Sequence, residues 1–231
     1  MPQRYFIENQ NNTITGQDAH HIKKVMRMKT GDEIIVCSNG KCFLSSLNLE
    51  GEEVQYEVIK ELKKHDQPEI TLIQGLPKNP KSDSVIKYGT IFGASKIILA
   101  GMHRSITKLE NEENKIKRFQ MIAKEAAELA HRFEVPAIEM AKSLDKIDLS
   151  HYDVVLLADE NEKSMTLENA LPSIRKEMRI ALIIGPEGGI SDAERISLLS
   201  KKVIPVTLGY YILPTEIASL YILTYLSIKN I

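Results

Sequence analysis

The stretch IIGPEGGISDAE, residues 183–194, decides how the C-terminal part of the chain folds. It begins as an apolar run of the kind found in buried strands, and the glycines that follow permit a sharp turn or a close backbone approach. Ser191, with Glu194 three residues later, forms a capping box, which predicts that a helix begins at Ser191. A strand, a glycine turn and a helix together usually bind nucleotide phosphates.

This loop nevertheless lacks the residues that a phosphate needs. No Lys-Ser or Lys-Thr pair follows the last glycine, and the carboxylate of Glu187 would repel a negatively charged ligand. The loop therefore favours a different ligand, although an enzyme that uses a phosphorylated nucleotide at 185–194 is an open alternative.

Length and composition limit the classes of protein to consider. The 231 residues suit one large or two small domains, and 43% apolar with 26% charged residues is ordinary for a globular protein. With a net charge of −1, a nucleic-acid partner would have to be bound by a local basic patch. The sequence has no signal pattern and no stretch apolar enough to span a membrane, so we expect a cytoplasmic protein.

The apolar pattern changes near residue 67 and predicts two domains. Residues 1–67 contain short strands around one helix, whereas residues 68–231 alternate helical stretches with continuous apolar runs. Such runs are typical of strands covered on both faces, so the second domain is predicted to be α/β with a parallel sheet. Its predicted strands are ITLIQGL (70–76), KIILA (96–100), VVLLA (154–158), IALII (180–184) and VIPVTL (203–208).

Cys37 and Cys42 stand on either side of Asn39-Gly40, the strongest short signal for a hairpin. A two-residue turn would place them opposite each other, so a disulfide is geometrically conceivable. Two reduced thiols are favoured, because disulfides are rare in the cytosol. Two cysteines alone also make a poor metal site, and no metal is predicted.

The predicted helix of the first domain, QDAHHIKKVMRM (17–28), has two faces. Ile22, Val25 and Met26 form an apolar face. A basic stripe at i, i+3, i+4 and i+7 would contact RNA phosphates, although a solvated helix face is the alternative. The stripe consists of His20, Lys23, Lys24 and Arg27.

The C-terminal helix, predicted to begin near Thr215, is apolar around most of its circumference. A helix of this kind is buried on more than one side. It could lie between the sheet and other helices, or its outer face could meet a second copy of the chain. We favour the second arrangement and expect a homodimer.

Five segments match one known family in order and spacing. They are HHIKKVMRMKTGDEI (20–34), Arg104-Ser105, KEAAELAHRFEVP (124–136), IIGPEGGISDAE (183–194) and LGYYIL-TE-A (208–218). They resemble the bacterial small-subunit ribosomal RNA uridine-N3 methyltransferase family of the SPOUT superfamily. The resemblance implies a small PUA-like β-barrel that binds RNA, residues 1–67, and a SPOUT-type α/β methyltransferase domain, residues 68–231, whose chain forms a trefoil knot.

The resemblance also implies that S-adenosylmethionine binds at the glycine loop. This cofactor carries a sulfonium and no phosphate, so Glu187 is tolerable there, and its alternative role is to stabilise a helix N-terminus. Leu208, Ile212 and Leu213 could equally be core residues. The implied cofactor residues are Ala158, Asp159, Glu160, Gly185, Pro186, Glu187, Gly188, Gly189, Leu208, Gly209, Ile212, Leu213 and Thr215.

The reaction implied by the resemblance is methylation of N3 of a uridine in small-subunit ribosomal RNA, either free or in the assembled subunit. Arg104 is the candidate cation beside the uracil oxygens, with a phosphate contact or a plain surface charge as alternatives. Glu216 could accept the N3 proton, but stabilising the first helical turn is the favoured role. The implied RNA-binding residues are His20, Lys23, Lys24, Arg27, Lys87, Arg104 and Arg132.

The chain departs from the family pattern where the family has arginines. Tyr211 and Pro214 stand at those positions, and Ile217 replaces a threonine. Because the glycine loop is intact, we expect cofactor binding to be kept while the substrate or the rate of methyl transfer changes. The alternative is an RNA-binding member of the family with weakened catalysis. Tyr210 or Tyr211 could instead stack on an unpaired base.

Overall fold

The computed structural model describes residues 2–8, 11–51, 53–107, 112–171 and 174–229. The chain forms two compact units. The first contains Met1–His65 and Ala127–Val135, and the second contains Asp66–Ala126 and Pro136–Ile231. The sequence did not predict that residues 127–135 belong with the N-terminal strands.

The N-terminal part of the first unit is a sheet with one helical segment. Its elements are β1 (Gln3–Phe6), β2 (Thr13–Ile14), α1 (Gly16–His20) continued by a π-helical turn (His21–Val25), β3 (Glu33–Ser38), β4 (Lys41–Asn48) and β5 (Val54–Glu61). The strand order is β1-β3-β4-β5-β2, with β1 parallel to β3 and the other neighbours antiparallel. The prediction of short strands around one helix is confirmed.

The predicted apolar face of this helical segment is only partly correct. Ile22 is fully buried, but Val25 and Met26 are 58% and 41% exposed, so the prediction is wrong for these two residues. The hydrogen bonds over His21–Val25 have the wider π-helical spacing, which breaks the periodicity of an α-helix. Arg27 lies beyond the helix with a φ of 52°, so it does not continue the predicted stripe by helical spacing.

The hairpin predicted at Asn39-Gly40 is confirmed, with both residues at positive φ. Cys37 pairs with Cys42 across β3 and β4, and both side chains are buried. The structure joins them in a disulfide, so the favoured interpretation of two reduced thiols is wrong here. The tight turn leaves the two sulfurs facing each other, which is the physical reason.

The second unit is built on a parallel six-stranded sheet, which confirms the α/β prediction. Its elements, the last residues of α3 excepted, are β6 (Glu69–Gly75), α2 (Lys81–Ile91), β7 (Lys96–Ala100), α3 (Glu112–Leu129), β8 (Ala137–Ala141), a 3-10 turn (Leu144–Lys146), β9 (Val154–Ala158), α4 (Leu167–Ala170), β10 (Arg179–Ile184), α5 (Asp192–Ser200), β11 (Ile204–Val206) and α6 (Thr215–Lys229). The strand order is β11-β9-β10-β6-β7-β8. β6 and β10 lie at the centre and are buried along almost their whole length, which explains their continuous apolar sequences.

The ends of several elements follow the sequence signals closely. The capping box of α5 is present in both directions between Ser191 and Glu194, and α6 begins at Thr215 as predicted. β8 was not predicted, because it is an edge strand with only one buried residue, Ile138, and therefore has no apolar run. The trefoil knot stays a prediction. Within the described residues, no helix has the length and apolar character to span a membrane.

Candidate active site

A cavity of about 400 Å³ opens at the carboxyl ends of β9, β10 and β11. Because the carboxyl ends of parallel strands meet at one edge of a sheet, the loops that follow these strands become its walls. The lining residues are Lys81, Ala158–Asn161, Lys163, Ile184–Glu187, Gly189, Ile190, Thr207–Thr215 and Ala218. The structure therefore brings together every predicted cofactor residue except Gly188, which lies in the same loop but does not line the cavity.

Buried side chains hold the glycine loop from inside the fold. Thr215 Oγ1 donates to the carbonyl oxygen of Gly185 at 2.5 Å, and Gln74 Nε2 donates to the same oxygen at 3.3 Å. Gln74 Nε2 also lies 2.7 Å from Thr215 Oγ1. Since Gln74 and Thr215 are both buried, these bonds face little competition from water and fix the backbone of Gly185. Sequence reasoning missed Gln74, although a polar residue inside the apolar run ITLIQGL was an available signal.

Close backbone approach explains one glycine beside this loop, and a positive φ explains another. A Cβ added to Gly75, at the end of β6, would lie 2.5 Å from both the ring and the nitrogen of Pro186. No side chain fits at that distance, so Gly75 lets β6 approach the loop. Gly189 has a φ of 71°, in the left-handed region that favours glycine. Gly75 was not predicted as a site residue.

Glu187 is paired with groups of the protein. Its Oε1 accepts a hydrogen bond from the backbone nitrogen of Lys78 at 3.0 Å and lies 3.8 Å from Lys81 Nζ. Lys81 Nζ also lies 3.1 Å from Glu216 Oε2, so one ammonium lies between two carboxylates. Lys81 lines the cavity, whereas Glu216 does not. Glu216 is the second residue of α6, which fits the stabilising role, and its proton-accepting role stays a prediction.

Arg104 lies against the glycine loop, and Glu194 holds the segment that carries it. Arg104 Nη1 donates to the carbonyl oxygen of Gly188 at 3.2 Å. The Glu194 carboxylate accepts hydrogen bonds from the backbone nitrogen of His103 at 2.8 Å and from Ser191 Oγ at 2.6 Å. Burial raises the pKa of Glu194, but the hydrogen bonds outweigh burial and leave that pKa lowered. Arg104 does not line the cavity, so its action on the uracil stays a prediction.

Two carboxylates hold the loop after β9. Asp159 is buried, and its Oδ2 accepts a hydrogen bond from Arg195 Nε at 2.5 Å, which raises the pKa of Arg195. Glu162 accepts hydrogen bonds from the backbone amides of Met165 and Ser164 and from the Ser164 hydroxyl, and these lower the pKa of Glu162 to about 2. The predicted cofactor residue Asp159 thus has a structural partner that sequence reasoning did not identify.

The opposite wall of the cavity is apolar and exposed. Tyr210 is fully exposed, and Tyr211 and Ile212 are 85% and 81% exposed, so the alternative that Ile212 is a core residue is wrong. Ile217 and Tyr221 on α6 do not line the cavity but add two half-exposed apolar side chains. We call these five residues the exposed apolar face. Apolar patches of this kind usually mark a surface that another molecule covers.

The predicted RNA-binding residues lie in both units. In the first unit, His20, Lys23 and Lys24 line a second cavity of about 310 Å³, whereas Arg132 is half-buried and burial lowers its pKa to about 10. In the second unit, Lys87 is exposed on α2. Within the described ranges, no cluster of three or more His, Cys, Asp or Glu residues could hold a metal ion.

Known sequence families match both units of the chain. The RNA methyltransferase domain matches residues 64–227, and the RNA methyltransferase PUA domain matches residues 14–65. The chain belongs to the RNA methyltransferase family. The predicted order, a PUA-like domain followed by a methyltransferase domain, is thereby confirmed.

Relatives of this RNA methyltransferase match it almost end to end. The Ribosomal RNA small subunit methyltransferase E of Bacillus subtilis is 34% identical and covers 99% of this chain and 97% of its own length. A structure of a putative methyltransferase from Legionella pneumophila, in complex with the bound cofactor SAM, has a TM-score of 0.85 at 22% identity and covers 99% of this chain and 98% of its own. A structure of a Ribosomal RNA small subunit methyltransferase E from Neisseria gonorrhoeae, bound to S-adenosyl methionine, has a TM-score of 0.81 at 23% identity. It covers 97% of this chain and 96% of its own. These two structures establish the shared fold.

Proposed function

We propose that this RNA methyltransferase transfers a methyl group from S-adenosylmethionine to N3 of a uridine in small-subunit ribosomal RNA. The observation that carries the proposal is the cavity at the fixed glycine loop, in which the predicted cofactor residues lie together. The names of the Bacillus and Neisseria relatives support the RNA class, and the motif resemblance supports uridine N3. The proposed ribosomal substrate supports a cytoplasmic activity.

The residues of the cavity fit this cofactor. A volume of about 400 Å³ lies within the range of small-molecule sites, roughly 300–1,000 Å³. Main-chain groups of Gly185 and Gly189 would hold the nucleoside, and the carboxylates of Glu160 and Glu187 suit a ligand with positive charge. When bound, S-adenosylmethionine supplies a methyl group attached to a sulfonium sulfur.

The residues of the chain would contribute mainly by positioning and by charge. Holding the uracil in line with the methyl group supplies most of the rate enhancement of such a displacement. His20, Lys23 and Lys24 would bind phosphates and so hold the RNA without reading its sequence.

A weakened member of the family is the second candidate function. The observation that favours it is the absence of arginine among the described residues that line the cavity, because Tyr211 and Pro214 stand where the family has arginines. Such a protein would bind the cofactor and RNA without appreciable methyl transfer.

We also propose that two copies associate through the exposed apolar face and that the second unit contains the trefoil knot. The apolar exposure of Tyr210, Tyr211 and Ile212 supports the dimer, because covering these side chains would remove apolar surface from water. Sedimentation equilibrium tests the dimer, and a single species of monomer mass would contradict it.

The activity is tested by incubating the purified protein with labelled S-adenosylmethionine and small subunits from cells that lack it. We expect label in the ribosomal RNA and a new stop in reverse transcription at one uridine, since N3 methylation blocks the pairing edge. RNA binding without transfer would favour the weakened member. Calorimetry that detects ATP binding but no S-adenosylhomocysteine binding would favour a nucleotide-dependent enzyme instead.

A further inference from the structure

Lys81 occupies a position that does not favour a lysine. It is the first residue of α2, and the N-terminus of a helix carries partial positive charge, which disfavours a cation. Its side chain is 35% exposed, and its ammonium lies beside Glu187 and Glu216, whose carboxylates offset that unfavourable charge. Two acidic residues from other segments thus hold the Lys81 ammonium at the wall of the cavity.

The two other cations near the cavity each donate to a main-chain carbonyl oxygen. Arg104 donates to the carbonyl oxygen of Gly188 and does not line the cavity. Lys163 lines it, but its Nζ donates to the carbonyl oxygen of Glu160 at 2.6 Å. Among the described lining residues, Lys81 is therefore the cation whose partners are side chains at the cavity wall rather than main-chain carbonyls.

We propose that Lys81 is a catalytic residue whose ammonium binds a carbonyl oxygen of the target uracil, an inference that rests on the proposed function. In the reaction the N3 proton leaves to water, the N3 electron pair forms the bond to the methyl carbon, and the carbon–sulfur bond breaks with its electron pair remaining on a neutral thioether sulfur. Negative charge develops on the uracil oxygens as the proton leaves. An ammonium placed there stabilises that charge without having to reorganise.

Glu187 and Glu216 are positioning residues for this ammonium. The carboxylates of Glu187 and Glu216 lie 3.8 Å and 3.1 Å from the Lys81 ammonium and hold it at the wall of the cavity. This arrangement reassigns the cation that the sequence placed on Arg104, and it gives Glu216 a function through Lys81 rather than as a proton acceptor.

The variant Lys81→Met tests the proposal by separating binding from transfer. We expect the affinities for S-adenosylhomocysteine and for small subunits to stay within about threefold, while the rate with saturating substrates falls about a hundredfold. Alkaline pH should restore part of the rate, because the uracil then ionises without help. The control is Lys146→Met, which removes the same charge from an exposed lysine of the 3-10 turn that does not line the cavity, and its rate should stay within about twofold.

Three results would overturn the assignment. A loss of S-adenosylhomocysteine affinity of tenfold or more in Lys81→Met would mean that the ammonium serves the carboxylate of the cofactor, and an unchanged rate would mean that it serves neither. If the wild type itself transfers no methyl group, the proposed function fails and the inference falls with it, whereas a defect confined to the variant supports both.

Glu216→Gln provides a second test in case Lys81→Met unfolds, because glutamine keeps the shape of the glutamate side chain. This variant should lower kcat without changing cofactor affinity. An unchanged kcat would exclude the positioning role of Glu216.

Discussion

The two walls of the cavity differ in how the chain supports them. On the glycine-loop side, the carbonyl oxygen of Gly185 receives hydrogen bonds from two buried side chains. Glu187 accepts a hydrogen bond from the backbone nitrogen of Lys78 and forms an ion pair with Lys81. On the other side, the side chains of Tyr210, Tyr211 and Ile212 are between 81% and 102% exposed. One wall is specified by the fold itself, whereas the other presents apolar surface that the single chain leaves uncovered.

The difference between the walls explains where the sequence departs from its family. Gly185 to Gly189 match the family pattern, and a change there would disturb buried hydrogen bonds and close backbone contacts. Tyr211 and Pro214 depart from it, and both side chains are exposed. Substitutions at exposed positions cost little stability, so that wall is free to change with whatever covers it.

The largest effect on stability and cofactor affinity is expected where the glycine loop contacts the end of β6. Gly75→Val would place side-chain atoms against the ring and nitrogen of Pro186, which cannot be accommodated without moving the glycine loop. We expect the free energy of unfolding to fall by about 1–3 kcal/mol. Affinity for S-adenosylhomocysteine should fall by about a hundredfold or more, since the cavity wall is displaced.

Calorimetry and thermal unfolding measure both quantities. Gly51→Val is the matched control, because nothing lies within 4 Å of an added Cβ there. Full affinity in Gly75→Val would mean that the glycine loop tolerates movement, and the contrast between the walls would then be lost.

Thr215→Val should produce the next largest effect. It keeps the shape of the side chain but removes the donor to Gly185 and leaves buried polar groups unpaired, which costs about 1–3 kcal/mol. Part of that cost should appear as an affinity for S-adenosylhomocysteine that is lower by about tenfold. Thr13→Val, which removes a hydroxyl bonded to the carbonyl of Asn11 in an exposed setting, is the control. Equal effects of the two substitutions would show that burial of the Thr215 hydrogen bond is unimportant.

The sequence predicted those parts of the molecule that depend on local patterns. The buried strands, the capping box at Ser191 and the hairpin at Asn39 were all predicted because the signals lie within a few residues of each other. Gln74 was missed because its contact with Thr215 joins positions 141 residues apart, and no local pattern reports such a pair. The exposed side chains of Val25 and Met26 were mispredicted because the periodicity assumed an α-helix where the turn is π-helical.

A moderate effect is expected at the loop after β9, where the Glu162 carboxylate accepts hydrogen bonds from Ser164 and Met165. The folded pKa of Glu162, about 2, lies below its unfolded value near 4.5. Its contribution to stability is therefore fully present above pH 4.5 and is lost as pH falls through about 2. Glu162→Gln should speed hydrogen exchange at the amides of Ser164 and Met165 at neutral pH. Unchanged exchange at both amides would mean that the turn is held without the carboxylate.

The smallest effect on the single chain is expected at the exposed wall. The double change of Tyr210 and Tyr211 to serine removes side chains that contact little of their own chain, so the free energy of unfolding at low protein concentration should change by less than about 0.5 kcal/mol. The same change should raise the dissociation constant of the proposed dimer, since the apolar area that association would bury is gone. At high protein concentration it should therefore also lower the apparent stability. Sedimentation at several concentrations, with unfolding followed at each, separates the two effects. A large loss of stability in the dilute protein would mean that this wall is also supported from within, and the contrast with the glycine loop would no longer hold.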